Sequence, residues 1–361
     1  MTGNTNLNAA KSAKNDEFYT QYSDIEAEIN AYVEYNPDVF RDKTILCPCD
    51  DPEWSNFTKY FAENFERFGL RKLISTSYAH THGKLSTMTR DKNGSGYVDA
   101  DGIEVSGYLK GNGDFRSKEV TALRDEADFI ITNPPFSLFR EFLAWIMAAD
   151  KQFVIVSNKN AITYKEVFPL LKDDKVWLGC TSPKEFVAPT QSDNRKNMHV
   201  RDDGTVMMTF GNICWFTNVD HGLRHQPLLL DTMEHNLKSN KKLRRKFKMD
   251  YGKLEYPRYD NYDAIEVPFV EAIPSDYDGV MGAPITFLDK YNPAQFEIIS
   301  MSRDAPGYTG MRKEFLDDYF AQGGTGSMNP GHPDLGYYTA DGKAVVPYRR
   351  ILIRSKRGEA A

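Results

Sequence analysis

Cysteine is scarce in this chain of 361 residues, and the four present, Cys47, Cys49, Cys180 and Cys214, do not fall in the paired spacing of a zinc ribbon. So few over such a length argue against a disulfide scaffold, and reduced thiols are expected. Long apolar runs are also missing: the longest, Phe142–Ala149, is far shorter than the ~18–20 residues that span a bilayer, which excludes a helical membrane anchor. There is no excess of positive charge. The formal charge of −6 excludes a uniformly basic nucleic-acid binder but leaves local patches open, and patches are what meet phosphates. The opening MTGNTNLNAAKSAKN lacks the apolar segment of a secretory signal, so residues 1–14 read as a flexible leader and the protein as cytoplasmic. His80-Thr-His82 has no cysteine or carboxylate cluster to complete a ligand set, so no metal is expected.

What is present describes an ordinary globular protein, with 40% hydrophobic and 27% charged residues, long enough for two packed domains. Short β-branched runs, Thr44-Ile-Leu-Cys47, Lys72-Leu-Ile-Ser75, Asp128-Phe-Ile-Ile-Thr132 and Gln152-Phe-Val-Ile-Val-Ser157, alternate with stretches of helical spacing at Ser23–Tyr35, Asn56–Phe68, Lys118–Glu126 and Leu138–Ala149. That alternation predicts an α/β fold with a doubly wound, parallel sheet. Val176–Cys180, Glu185–Ala188 and Gly211–Thr217 read as strands without long helices between them and predict an antiparallel edge. The glycine-rich stretch Gly83–Gly113 reads as an inserted loop or hairpin. From about Asp220 the sequence turns rich in Tyr, Pro, Asp and Gly, with little periodicity until Val345–Arg354. We therefore expect a catalytic domain over residues 15–220 and a second region over 221–361.

Asn133-Pro134-Pro135-Phe136 follows the third of these strands and precedes a helix, so it sits where open α/β sheets build their sites. Pro134 and Pro135 stiffen the backbone and remove two amide donors, leaving carbonyl oxygens and the Asn133 amide in a fixed array. Such an array suits an aromatic amine, a poor nucleophile whose lone pair is delocalised into its ring. The Asn133 side-chain oxygen and the Pro134 carbonyl would each accept one N–H, aiming the lone pair at a sulfonium methyl while Phe136 stacks on the base. In isolation the tetrapeptide reads equally well as a tight turn.

The first strand runs into Pro48-Cys49-Asp50-Asp51-Pro52 with no glycine-rich fingerprint, so a cofactor there would rest on Asp50 or Asp51 and on the following helix start. The competing reading is an acidic helix cap. Phe18 is placed to cover the methionine part of such a cofactor, with Thr20 as a cap or ligand hydroxyl. Asp114 and Phe115 are placed near its adenine, or in a surface turn.

Taken in order, Phe18-Tyr19-Thr20, Cys47-Pro48-Cys49-Asp50-Asp51-Pro52, Gly113-Asp114-Phe115 and Asn133-Pro134-Pro135-Phe136 resemble the amino-methylating DNA methyltransferases, specifically the EcoRI-type adenine modification methylases. Tyr259–Val267, Gly282–Pro293 and Arg350–Arg354 also resemble that family's segments, which extends the likeness over nearly the whole chain. The resemblance implies a Rossmann-like S-adenosylmethionine-dependent domain with a carboxyl-terminal target-recognition domain, acting on adenine N6 in double-stranded DNA by base flipping. It implies Asn133, Pro134, Pro135 and Phe136 as the catalytic loop. Phe18, Tyr19, Thr20, Pro48, Cys49, Asp50, Asp51, Asp114 and Phe115 would line the cofactor pocket, with Asn133 at its border. One departure stands out: the second strand ends Ser75-Thr-Ser-Tyr78, without the acidic residue that usually holds the cofactor ribose.

Lys238, Lys241, Lys242, Arg244, Arg245, Lys246 and Lys248 put seven cations into eleven positions of an acidic chain, with Tyr251, Tyr256 and Tyr259 after them. They are the candidate phosphate contacts, against the plainer reading of a solvated helix face. Trp215 and Phe216 are weighed as further stacking residues, with core packing the favoured reading. Two other functions are weighed as well. The same loop suits methyl transfer to RNA or to a protein glutamine amide, and a catalytically silent DNA-binding protein would keep the fold alone. The Tyr- and Lys-rich carboxyl region favours duplex DNA over the first, and the intact Asn133–Phe136 loop argues against the second. No obligatory protein partner is evident.

Overall fold

The computed structural model describes residues 19–79, 81–89, 107–188, 197–301 and 304–356, so the leader and Phe18 lie outside the described residues. The chain forms two compact units, divided at Val167/Phe168, Asp174/Lys175 and Gly222/Leu223. Residues 168–174 thus belong with the second unit, although they lie within the first unit's stretch of sequence.

In the first unit the strands are β1 (Tyr19–Thr20), β2 (Thr44–Cys47), β3 (Lys72–Thr76), β4 (Lys84–Thr89), β5 (Gly107–Tyr108), β6 (Phe129–Thr132) and β7 (Gln152–Asn158), then β8 (Trp177–Leu178), β9 (Glu185–Val187), β10 (Met198–Val200), β11 (Val206–Thr209) and β12 (Ile213–Thr217). Its helices are α1 (Tyr22–Tyr35), α2 (Asn56–Glu63), α3 (Phe65–Phe68), α4 (Lys118–Glu126) and α5 (Phe139–Met147). Eight strands make one mixed sheet in the order β5-β4-β3-β2-β6-β7-β12-β8. β3, β2, β6 and β7 are parallel, while β12 runs antiparallel to β7, as the sequence rhythm predicts. Of the loop and hairpin readings of Gly83–Gly113, the described ends follow the second: Lys84 and Leu85 pair antiparallel with Tyr108 and Gly107, and Lys84–Thr89 joins the sheet antiparallel to β3; residues 90–106 are outside the described residues.

β2 and β6 are buried along their whole length, which matches continuous apolar runs covered on both faces. One face packs Ile45, Leu73, Phe129, Ile131, Val154 and Val156 against Ile25, Ile29 and Tyr32 of α1 and Phe57 and Phe61 of α2. On the other, Phe139 of α5 meets Phe216 with ring centroids 5.0 Å apart. Trp215 and Phe216 are both fully buried, so the core reading holds and base stacking by either is excluded. Helix starts follow local chemistry: the Ser55 hydroxyl accepts from Phe57 N at α2, and Ser117 accepts from Val120 N at α4. A second, antiparallel sheet, β1-β9-β11-β10, carries Tyr19 and Thr20.

The second unit holds α6 (Phe168–Lys172), α7 (Met233–Ser239), α8 (Lys241–Lys246), α9 (Lys313–Ala321) and β13 to β18 at Ala264–Glu266, Val280–Pro284, Phe296–Met301, Tyr337–Tyr338, Ala344–Val345 and Arg350–Ser355. Four of these form a sheet in the order β13-β14-β18-β15. Inside it, the Arg350 guanidinium grips Glu266 through Nη2 at 2.6 Å and Nε at 3.1 Å, and the Tyr259 hydroxyl donates to the same carboxylate. No described helix is long and apolar enough to cross a membrane.

Candidate active site

Strand order reverses between β2 and β6: β2 is followed in sequence by its neighbour on one side, β3, and its neighbour on the other side, β6, begins only at Phe129. The carboxyl ends of these two strands therefore border the crevice in which doubly wound sheets hold ligands. β2 leaves into Pro48–Asp51 and β6 into Asn133–Phe136, so the sheet brings the two motifs together.

Asp50 is the polar centre of the crossing. It is 6% exposed, and its carboxylate accepts from Ser55 Oγ at 2.6 Å and from Thr132 Oγ1 at 2.5 Å. Burial is the largest influence on this carboxyl and pushes it up to about 6, opposed by those two hydroxyl donors. A second relay lies alongside. Asn56 Nδ2 donates to the Thr20 carbonyl at 2.8 Å, and Asn133 Nδ2 donates to Thr20 Oγ1 at 3.2 Å. Pro134 is buried, Asn133 and Pro135 are half-buried, and Leu138 N closes onto the Pro135 carbonyl at 2.9 Å to start the turn that becomes α5. Phe136 is half-buried, edge-on to Phe210 at 6.4 Å, and Phe210 in turn meets Phe186 of β9 at 5.6 Å.

Around these ends lie Tyr19 and Trp54, rings 4.8 Å apart, with Trp54 47% exposed. Asp51 accepts from Lys84 Nζ at 3.2 Å, and Lys84 also pairs with Glu53 at 2.5 Å. Gly113 holds φ at 84°, and a Cβ there would stand 2.1 Å from the Ser77 carbonyl oxygen, so only glycine lets this turn lie against the end of β3. The next residue, Asp114, is bound by both arms of Arg116, at 2.9 and 2.7 Å, and this guanidinium holds its carboxyl below the usual range. Phe115 is buried against Phe142 and Trp145, at 5.0 and 5.6 Å, so its ring belongs to the core beneath the turn.

The basic segment divides at Asn240, which ends α7 and caps α8 by accepting from Leu243 N at 3.0 Å. Leu243 and Phe247 are buried beneath it, and the last turn widens to a π-helix over Phe247–Tyr251. Several cations are committed within the protein: Lys238 to Glu234, Lys246 to Asp250, Lys242 over the Phe269 ring at 3.8 Å, and Arg244 to the Lys238 carbonyl at 2.9 Å. Lys241, Arg245 and Lys248 are exposed. Tyr251 is half-buried and donates to Glu255 at 3.2 Å, whereas Tyr256 and Tyr259 are core residues. Among the described residues no group of three or more His, Cys, Asp and Glu is placed to hold a metal.

Residues 6–356 match the family described as Adenine-specific methyltransferase EcoRI. The chain is 43% identical over 310 residues to Type II methyltransferase M.EcoRI of Escherichia coli, covering 82% of this chain and 89% of that one. It is 36% identical to Type II methyltransferase M.MpnI of Mycoplasma pneumoniae, with 81% and 84% covered, and 36% identical to M.MgeORF184P of Mycoplasma genitalium, with 81% and 85% covered. The chain belongs to the EcoRI family of adenine-specific methyltransferases. No solved structure matches it.

This adenine-specific DNA methyltransferase uses a methyl donor, and five residues at its strand ends escape a reading by motif: Trp54, Ser55, Asn56, Lys84 and Thr132. Thr132 carried one signal, a polar residue ending an otherwise apolar run. Ser55 and Asn56 look only like a helix start, and nothing in sequence ties them to residues 132 and 133.

Proposed function

We propose that the enzyme transfers a methyl group from S-adenosylmethionine to the N6 amino group of adenine in double-stranded DNA, in the cytoplasm. The first unit would serve as the Rossmann-like catalytic domain and the second as the target-recognition domain. What carries the reading is the position of Asn133-Pro134-Pro135-Phe136 at the carboxyl end of β6, beside the end of β2, where the strand order reverses.

The residues at these ends suit the cofactor. Tyr19 and Trp54 offer aromatic faces for the adenosyl and sulfonium parts, and Asp51 and Asp114 offer carboxylates for its amino groups. Pro48 and Cys49 supply backbone at the same edge, Phe115 supports the Asp114 turn from below, and Phe18 joins the set on sequence grounds. When bound, S-adenosylmethionine supplies an electrophilic methyl group and a neutral thioether leaving group. Asn133 Oδ1 and the Pro134 carbonyl accept the two N–H bonds of the adenine amine and localise its lone pair. Phe136 stacks on the ring, which repays part of the few kcal/mol needed to take the base out of the duplex. The alkylated nitrogen then sheds a proton to water and needs no strong base.

Mass-spectrometric nucleoside analysis of unmethylated duplex DNA tests this, with RNA and a glutamine peptide run in parallel. N6-methyladenine in the DNA alone is the expected result; methyl groups appearing in RNA or peptide but never in DNA would sink the proposal. The grip on phosphates has its own signature. Replacing Lys241, Arg245 and Lys248 by serine should flatten the dependence of log K on log salt by about 2.7, from roughly 0.9 per lost phosphate contact. An unchanged slope would remove the segment from the DNA interface.

A further inference from the structure

Two consecutive residues of the loop are tied to two consecutive residues at the start of α2. Thr132 and Ser55 donate to opposite oxygens of Asp50, at 2.5 and 2.6 Å. Asn133 and Asn56 reach the hydroxyl and the carbonyl of Thr20, at 3.2 and 2.8 Å. Asp50 is 6% exposed and Thr20 3%, so both intermediaries are held in the interior. We propose that Asp50 and Thr20 are positioning residues: they fix the catalytic loop against the first turn of α2 and set the rotation of the Asn133 amide. This rests on the methylation reading above and deepens it, since it assigns the loop's geometry to residues otherwise counted as cofactor ligands.

The chemistry of each contact supports the assignment. A carboxylate accepting two short hydroxyl bonds has an oxygen directed at each partner, and charge-assisted bonds of this length hold their partners more firmly than neutral ones. Thr132 is bonded directly to the residue that carries the acceptor amide, so a shift at its hydroxyl moves the Asn133 backbone. The bond from Asn133 Nδ2 to Thr20 places the amide nitrogen toward β1. The carbonyl oxygen lies on the other arm of the same planar group, so whatever fixes the nitrogen fixes the direction of the acceptor as well. Transfer is sensitive to such placement, because a misplacement of about 1 Å costs on the order of 10²-fold in rate.

The test compares Thr132→Val and Thr20→Val with Thr132→Ser and Thr20→Ser in the full chain. Three quantities are read: single-turnover methylation of unmethylated duplex DNA, S-adenosylhomocysteine affinity by calorimetry, and DNA affinity by anisotropy. The valine variants should lose roughly 10–100-fold in rate, with both affinities within about 3-fold of the natural protein. The serine variants, which keep the hydroxyl, should return to within about 3-fold of its rate. A valine variant that keeps its rate, or one whose cofactor affinity falls in step with the rate, overturns the inference and makes these residues bystanders or ligands. A natural protein that binds S-adenosylhomocysteine but methylates no DNA overturns the methylation reading itself, and the inference with it.

Discussion

Asn133→Ala is expected to abolish measurable adenine methylation, a loss of about 10²–10³-fold or more in the single-turnover rate. The substitution removes the one side-chain acceptor of the loop and leaves the rest standing. Thr132 keeps its bond to Asp50, and the Pro135 carbonyl keeps its bond from Leu138. Because Asn133 is half-buried and its amide bond to Thr20 is long, at 3.2 Å, stability should fall by about 1 kcal/mol, the worth of an ordinary neutral hydrogen bond. Duplex affinity should hold, and calorimetry should find cofactor binding weakened only a few-fold. A variant within about threefold of the natural rate would mean that the Pro134 carbonyl alone prepares the amine, and the role assigned to Asn133 would have to be withdrawn.

The largest stability effect should come from the second unit. The Glu266 and Arg350 side chains are 4% and 10% exposed, and Tyr259 donates to the same carboxylate. In Glu266→Ala a guanidinium and a phenol stay buried without their shared partner, which costs about 3–5 kcal/mol. Against a typical domain stability of about 5–15 kcal/mol, that is a large share. Tyr259→Phe, Glu266→Leu and Arg350→Met combined should return most of it, because an apolar replacement of a whole buried ion pair is often neutral or better. Urea unfolding of the two variants decides the matter. A single variant that loses less than about 1 kcal/mol would show that the ion pair is solvated enough not to matter, and a combined one as unstable as the single would show that apolar packing does not replace the pair.

The parallel strands were legible because Thr44–Cys47, Phe129–Thr132 and Gln152–Asn158 are continuous apolar runs bounded by helix starts at Ser55 and Ser117. The placement of Asn133–Phe136 at a strand end followed from the same pattern. The sheet of the second unit was hidden for identifiable reasons. Ala264–Glu266 is only three residues long, and a bulge between Ile298 and Ser300 breaks the two-residue alternation of β15. Glu266 and Arg350 are charged residues in buried strand positions, which polarity alone assigns to solvent. The relays through Asp50 and Thr20 were out of reach for another reason. Thr132 lies 82 positions from Asp50 and Asn133 lies 113 from Thr20, so only the folded sheet makes them neighbours.

The order of the second unit's sheet also sets a timetable for its synthesis. β18 stands between β14 and β15 and supplies ladder bonds to both, yet its residues are the latest of the three to be translated. Until Arg350–Ser355 have been made, Met281 and Ala283 of β14 and Phe296 and Ile298 of β15 lack their central partner strand. At about 5–20 residues per second, the ribosome takes on the order of seconds to cover the intervening stretch. For that interval the nascent chain carries open, apolar strand edges of the kind that chaperones cover.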